Sequence, residues 1–146
     1  MSSNPKPLKY FHSIPVQVRF NDVDELGHVN NSVYQQYFDL GRLSYFNQVF
    51  EEKMNWNVGG LILASIHIEY LHPIHLYDSI EVHSKIYNLG NKSLKMMQEI
   101  VNLTTEQVVA TNKAVMVCYS DSRKETLPIP DRWRNSIAFF EKDLEF

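Results

Sequence analysis

Residues 18–46, VRFNDVDELGHVNNSVYQQYFDLGRLSYF, decide the fold of this chain. Apolar and polar side chains alternate where this stretch opens, which predicts a first strand over residues 14–21. Two acids, Asp22 and Asp24, end that run and begin a polar loop. The aromatic-rich segment that follows predicts a helix over residues 32–50, which is apolar on nearly all sides and is therefore expected to be buried.

The start of this predicted helix is the first candidate for chemistry. Asn30, Asn31 and Ser32 are all residue types that cap helices, and Ser32 with Gln35 has capping-box spacing. A helix N-terminus carries unpaired N–H groups and a partial positive charge. A carboxylate beside it could attack or deprotonate, while the N–H groups hold an oxygen that becomes negative in the transition state.

The residues of this stretch form a long motif of mixed chemistry: Arg19-Phe20-x-Asp22-x-Asp24-x-x-Gly27-His28-Val29-Asn30-Asn31-x-x-Tyr34-x-x-Tyr37-Phe38. The motif resembles the opening of the hotdog-fold thioesterases, and within them it is most similar to the hydroxybenzoyl-coenzyme A thioesterase type. Later segments agree in order. The run at residues 68–74 with Asp78 resembles the family's second strand and the turn after it, and Gly90-x-x-Ser93-Leu94 resembles the following hairpin.

The rest of the chain supplies strands rather than further long helices. Alternation and turn residues predict strands at 61–71, 79–88, 93–103 and 108–119, and a short helix at 131–143. Consecutive strands without crossover helices indicate an antiparallel sheet and the α+β class. The resemblance implies the same class as a hotdog fold, in which a five-stranded antiparallel sheet wraps around one long central helix. Gly41 in mid-helix predicts that the sheet approaches the helix closely there.

Length and composition narrow the classes of protein. The 146 residues suit a single domain over 1–146, with residues 1–12 as a loose N-terminal arm. The net charge of −3 argues against nucleic acid as the main partner. The sequence has no apolar run long enough to span a membrane and no secretory signal at its start. One cysteine, Cys118, cannot form an internal disulfide, so a cytoplasmic location is expected.

The resemblance implies a catalytic role for Asp24, the second acid of the Asp-x-Asp pair, as nucleophile or general base toward water. Asp22 is interpreted as a structural residue that orients the loop. His28 is a secondary candidate that orients Asp24 or polarises the carbonyl. Plant-type acyl-carrier thioesterases carry asparagine two positions before this histidine, whereas this chain has Leu26.

Other residues are candidates for binding the substrate. The backbone N–H groups of Asn30 and Asn31 are expected to face the thioester oxygen, and capping alone also explains these two residues. The predicted contacts to the acyl group and to the coenzyme A phosphates are Tyr34, Tyr70, Ser93, Arg123 and Lys124. Asp22, Asp24 and His28 together would suit a divalent ion. No further histidine–acid cluster has ligand spacing, so no metal and no cofactor beyond coenzyme A is expected.

The sequence thus predicts an acyl-CoA thioesterase. An acyl-carrier-protein thioesterase and a non-catalytic acyl-CoA binding module on the same fold are the alternatives, since fold does not fix function. The strands predicted at 61–71 and 108–119 would leave an exposed edge in a monomer. A homodimer, or a homotetramer built from dimers, is therefore expected, and the resemblance places each substrate between two subunits.

Overall fold

A computed structural model describes residues 7–51 and 60–146. The first half of the predicted arm and nearly all of the predicted connection at 55–60 lie outside these residues. The elements in chain order are β1 His12–Val16, a 3-10 turn Phe20–Asp22, α1 Asn31–Phe50, β2 Gly60–Tyr70, β3 Ile80–Leu89, β4 Ser93–Asn102, β5 Gln107–Ser120, β6 Glu125–Thr126 and α2 Asp131–Phe140.

The strands form one antiparallel sheet in the order β1-β3-β4-β5-β2, and the two-residue β6 adds to β5. This arrangement around α1 confirms the predicted α+β hotdog fold. Among the described strands, β1 and β2 are the edges. The expectation that the strand at 108–119 forms an exposed edge is wrong, because β5 is paired on both sides, with β4 and with β2.

The close approach of sheet and helix at Gly41 is confirmed. A Cβ atom at Gly41 would lie 2.5 Å from Cγ1 of Val82 on β3. Beside it, Gln98 on β4 is fully buried and its Nε2 donates to the carbonyl oxygen of Phe38 in α1 at 2.9 Å. This bond fixes where the helix lies along the sheet, since both partners are buried.

The predicted faces of the second strand need a correction. Strict alternation over the predicted strand 61–71 puts Ile62 on the same face as Ile66, but the pairing of β2 with β5 shifts register between Leu63 and Ser65. The extra residue, Ala64, is a β-bulge that reverses the alternation. Ile62 is therefore 40% exposed while Leu61 is buried.

Both ends of the chain differ from the predicted boundaries. The first strand, β1, begins two residues earlier than predicted and ends at Val16, where its pairing with β3 stops; a 3-10 turn follows at Phe20. His12, placed in the loose arm by the prediction, is a buried strand residue that contacts Ser44 Oγ at 3.2 Å. At the other end, α2 stops at Phe140, three residues short of its predicted end.

The segment after α2 is held by a buried ion pair. Lys85 on β3 is fully buried, and its Nζ lies 3.2 Å from Glu141 Oε2 and 2.9 Å from Asp143 Oδ1. Burial raises the pKa of Glu141 to about 7, although the Lys85 ammonium acts in the opposite direction. The C-terminal segment is thus anchored to the sheet through charge as well as through apolar contacts.

Candidate active site

The loop between the 3-10 turn and α1 is a small hairpin. Val23 and Val29 pair across it, and the N–H of Asp24 donates to the carbonyl oxygen of His28 at 2.8 Å. Gly27 at its tip has φ +79°, a conformation that glycine adopts without strain. These bonds tie the predicted catalytic acid to the residues that start the helix.

Asp22 holds this hairpin in place. Its carboxylate is buried and accepts hydrogen bonds from the Arg19 N–H at 2.9 Å and from the Tyr37 hydroxyl at 2.7 Å. The Arg19 guanidinium adds a 2.9 Å ion pair. Burial alone would raise the pKa of Asp22, but these hydrogen bonds outweigh burial and hold it below its usual value. The contacts are those expected of a structural acid.

Asp24 has different surroundings from Asp22. It is exposed, and its Oδ1 accepts the N–H groups of Leu26 at 2.9 Å and His28 at 3.3 Å. Among the described residues, no donor reaches its Oδ2. One carboxylate oxygen therefore fixes the side chain, while the other is available to a water molecule or a substrate.

His28 contacts Asp24 only through its main chain. Its ring packs perpendicular to the ring of His75, with centroids 4.9 Å apart. His75 is held in turn by Asp78, whose Oδ2 accepts the His75 N–H at 2.8 Å and lies 3.5 Å from the His75 Nδ1. His28 can therefore orient Asp24 through its main chain, and the alternative role of polarising the carbonyl stays a prediction.

Of the two backbone N–H groups expected to face the thioester oxygen, those of Asn30 and Asn31, only one is available at the helix start. Asn30 is the N-cap, and its side chain accepts from the N–H of Ser32, so the predicted capping box at Ser32 and Gln35 is wrong by position. The N–H of Asn30 donates to the carbonyl oxygen of Asp22 at 2.8 Å and is unavailable for an oxyanion. The N–H of Asn31 has no acceptor in the described part of the chain, and it remains the candidate donor.

A shallow groove of about 230 Å³ lies at this helix start, and Asn31, Tyr34 and Tyr70 are among its lining residues. The rings of Tyr34 and Tyr70 meet edge to face at 4.9 Å, and the Tyr70 hydroxyl donates to the carbonyl oxygen of Asn31 at 3.2 Å. Burial raises the pKa of Tyr34. The structure therefore brings together three of the predicted site residues around one groove.

Ser93, Arg123 and Lys124 lie at the opposite end of the sheet. Tyr70 pairs with Ala110 on β5, whereas Ser93 pairs with Val117, and Arg123 follows the end of that strand. At about 3.4 Å per residue the separation between the two ends is roughly 20 to 35 Å. Arg123 and Lys124 are exposed and paired with Glu125 and Asp121. Within one chain, these three residues do not join the site.

The described residues contain no group of three or more histidine, cysteine, aspartate or glutamate side chains placed to hold a metal ion. No helix in that part of the chain is long and apolar enough to cross a membrane. His75 is not among the site residues predicted from the sequence. Spacing alone could not reveal it, because its contact with His28 spans 47 residues (75 − 28).

A sheet wrapped around one long helix is the hotdog fold found in thioesterases, and here a carboxylate loop lies at the start of that helix. The family comparison places the chain among them: the model for the thioesterase-like superfamily matches residues 18–137, and the chain belongs to that superfamily. Its class of activity is thioester hydrolysis.

The chain is also similar to individual proteins. The uncharacterised protein YsmA of Bacillus subtilis (strain 168) is 31% identical over 124 residues, which cover 77% of this chain and 82% of that protein. The chloroplastic acyl-acyl carrier protein thioesterase ATL3 of Arabidopsis thaliana is 22% identical over 137 residues, 92% of this chain and 72% of that protein. A solved thioesterase of Thermus thermophilus, in complex with coenzyme A and Zn, is 29% identical with a TM-score of 0.78, covering 91% and 96% of the two chains.

Proposed function

We propose that this protein hydrolyses acyl-CoA thioesters with Asp24 as the catalytic carboxylate. The observation that carries the proposal is the Asp24 side chain, exposed and fixed through one oxygen only, in a hairpin tied to the start of α1. The family gives thioester hydrolysis, and the coenzyme A bound by the Thermus relative supports coenzyme A as the thiol carrier.

Two routes use this carboxylate. As general base, Asp24 takes a proton from water, and the water oxygen attacks the thioester carbonyl carbon. As nucleophile, Asp24 attacks that carbon itself and forms a mixed anhydride, which water then hydrolyses. In both routes the carbon–sulfur bond breaks, and coenzyme A leaves as a thiolate that takes up a proton. Acid quenching followed by mass spectrometry separates the routes, because only the second acylates the peptide that contains Asp24.

The carbonyl oxygen becomes negatively charged during the attack and needs a hydrogen-bond donor to stabilise it. The N–H of Asn31 points out of the first turn of α1, where the helix dipole adds partial positive charge. The groove lined by Tyr34 and Tyr70 lies beside this group and is the proposed entrance for the acyl chain. The reacting carbonyl would then lie between the Asn31 N–H and the Asp24 carboxylate.

The test compares Asp24→Asn with Glu25→Gln, the same loss of charge at the exposed neighbouring residue. Asparagine keeps the oxygen that accepts from Leu26 and His28, so the loop should survive at a cost of about 1 kcal/mol or less. Turnover should fall at least ~100-fold in Asp24→Asn and stay near wild type in Glu25→Gln. Full activity of a folded Asp24→Asn protein would show that another group does the chemistry.

A thioester of an acyl carrier protein is the second candidate substrate, favoured by the similarity to the Arabidopsis enzyme. Both substrates present the same phosphopantetheine arm, so the loop chemistry does not distinguish them. Relative kcat/KM for matched acyl groups on the two carriers decides between them. A non-catalytic binding module would bind acyl-CoA and release no thiol in either assay.

The proposal includes a homodimer or a homotetramer. Strand β2 is paired with β5 on one side, and its other side has no partner strand in the described part of the chain. A second copy pairing along this edge about a two-fold axis would cover its open N–H and C=O groups. Arg123 and Lys124, remote from the loop of their own chain, would then be able to act only at the site of the other subunit.

A further inference from the structure

A second groove, of about 600 Å³, lies beside the catalytic loop and is larger than the one at the helix start. Two segments form it, residues 16–20 before the loop and residues 76–79 before β3, and its lining residues are Val16, Gln17, Val18, Arg19, Phe20, Leu76, Tyr77, Asp78 and Ser79. We propose that this groove binds the adenosine phosphate end of coenzyme A, an inference that rests on the proposed acyl-CoA hydrolysis.

Two aromatic residues that line the groove have rings exposed to solvent. Phe20 is 78% exposed and Tyr77 is 93% exposed, so their rings contribute little to the core of this chain. The turn that carries Phe20 is nevertheless rigid, because the neighbouring Arg19 and Asp22 are joined by four hydrogen bonds and a buried carboxylate. Exposed rings on a fixed backbone are suited to stack a planar purine base.

The groove also holds a cation for the phosphates. Arg19 is 64% exposed; its Nε and Nη2 donate to Asp22 Oδ1, while its Nη1 donates to no described residue. An arginine in this arrangement can bind phosphate with its outer edge. The acid in the groove, Asp78, is largely buried, and its Oδ2 already accepts from the His75 N–H and from Asn102 Nδ2 at 2.8 Å each.

Position favours a nucleotide over a second copy of this chain. The groove begins at Val16, which pairs with Ile80 at the β1 edge of the sheet, whereas the edge proposed above for subunit pairing is β2, at the opposite side. Its first segment runs directly into Asp22 and Asp24, so a pantetheine arm would lead from the groove to the loop. The cations expected from the sequence, Arg123 and Lys124, lie at the far end of the sheet.

The experiment uses the full-length protein with Phe20→Ala and Tyr77→Ala combined. The matched control is Phe139→Ala, since Phe139 is 88% exposed on α2 and away from both grooves. Calorimetric titration with coenzyme A should show affinity weakened about 5-fold or more in the double variant and wild-type affinity in the control. Adenosine 3′,5′-bisphosphate should compete with coenzyme A in the wild type.

Kinetics with a truncated substrate separate this inference from the proposed function. Hydrolysis of an acyl-pantetheine thioester, which lacks the nucleotide, tests the catalytic loop alone. The ratio of kcat/KM for acyl-CoA to kcat/KM for acyl-pantetheine should fall about 5-fold or more in the double variant. If the wild type hydrolyses neither thioester, the proposed function fails, whereas the titration still reports on the groove.

Three results would overturn the inference. One is an unchanged affinity for coenzyme A in the double variant. Another is a loss of affinity in an Arg123→Ala, Lys124→Ala variant that exceeds the loss in the groove variant, which would move the nucleotide to the end of β5. The third is dissociation of a wild-type oligomer on Phe20 and Tyr77 substitution, measured by light scattering, which would make the groove an interface between copies.

Discussion

Asp22 and Asp24 are two residues apart, yet their carboxylates have opposite surroundings. Asp22 is buried among three groups that donate to it, and Asp24 is exposed with one oxygen available. The resemblance assigned the catalytic role to Asp24 and the Asp-x-Asp loop a structural role to Asp22, and this ranking stays a prediction that the different surroundings support. The donors to Asp22 were not foreseen, because Tyr37 reaches it from the second turn of α1.

We expect Asp22→Asn to destabilise the fold while reducing turnover less than Asp24→Asn does. The amide cannot accept from all of the Arg19 and Tyr37 donors, and an unsatisfied buried group costs about 1 to 3 kcal/mol. Because the pKa of Asp22 is lowered on folding, its stabilising contribution is full above about pH 4 and is lost as pH falls through the folded pKa. Urea unfolding of wild type and variant from pH 2 to 7 measures the destabilisation and its pH dependence.

This account of Asp22 would be contradicted if the difference in free energy of unfolding between wild type and Asp22→Asn stayed constant down to pH 2. A larger loss of kcat in Asp22→Asn than in Asp24→Asn, with both proteins folded, would mean that the catalytic acid has been misassigned. The two measurements are independent, since one reports on unfolding and the other on turnover.

The close contact between α1 and β3 limits which residues can replace Gly41. Alanine would gain about 1 kcal/mol of helix propensity, but its Cβ would lie 2.5 Å from Val82 Cγ1. Overpacking of this kind costs about 1 to 3 kcal/mol. We therefore expect Gly41→Ala to lower the free energy of unfolding, and Asn47→Ala on the exposed side of the same helix to leave it equal or higher.

The segment after α2 should respond to pH through Glu141. Burial raises the folded pKa of this carboxyl to about 7 from an ordinary value of 4.5, so the folded state holds the extra proton between these limits. The contribution of Glu141 to the free energy of unfolding is therefore full below about pH 4.5 and falls as pH rises toward 7. Glu141→Gln should flatten this part of the profile, since Lys85 keeps Asp143 as its partner.

Thermal unfolding of the wild type and of Glu141→Gln at half-unit steps from pH 4 to 8 measures the difference. Identical profiles would show that Glu141 is charged throughout in the folded protein. The sequence predicted a helix here but not this ion pair, because Lys85 and Glu141 are 56 residues apart and a buried lysine has no local signature.

Element boundaries were predictable where local chemistry sets them, and less so where pairing does. The helix begins within one residue of its predicted start, and Gly41 alone predicted the contact with the sheet. The bulge at Ala64 was missed, since an extra residue in one strand is visible only against its partner β5. The faces assigned to the first part of β2 were reversed for that reason.

In the single chain of 17.1 kDa, no strand of the described residues pairs with the outer edge of β2. We expect at least a dimer at low micromolar concentration, and specific activity that falls on dilution below the dissociation constant. Light scattering followed by assays over a dilution series measures both. A monomer with constant specific activity would exclude a site shared between subunits.

Two contacts hold α1 against the sheet: the hydrogen bond from Gln98 to the Phe38 carbonyl and the close fit of Gly41 against Val82. The number of residues between the N-cap, Asn30, and these contacts therefore sets how the start of the helix is oriented. Each residue inserted into an α-helix turns what precedes it by about 100°. One insertion between Asn30 and Phe38 would swing the Asn31 N–H and Tyr34 away from the groove while the rest of the molecule stayed folded. Insertions and deletions that preserve activity are therefore confined to segments outside this interval.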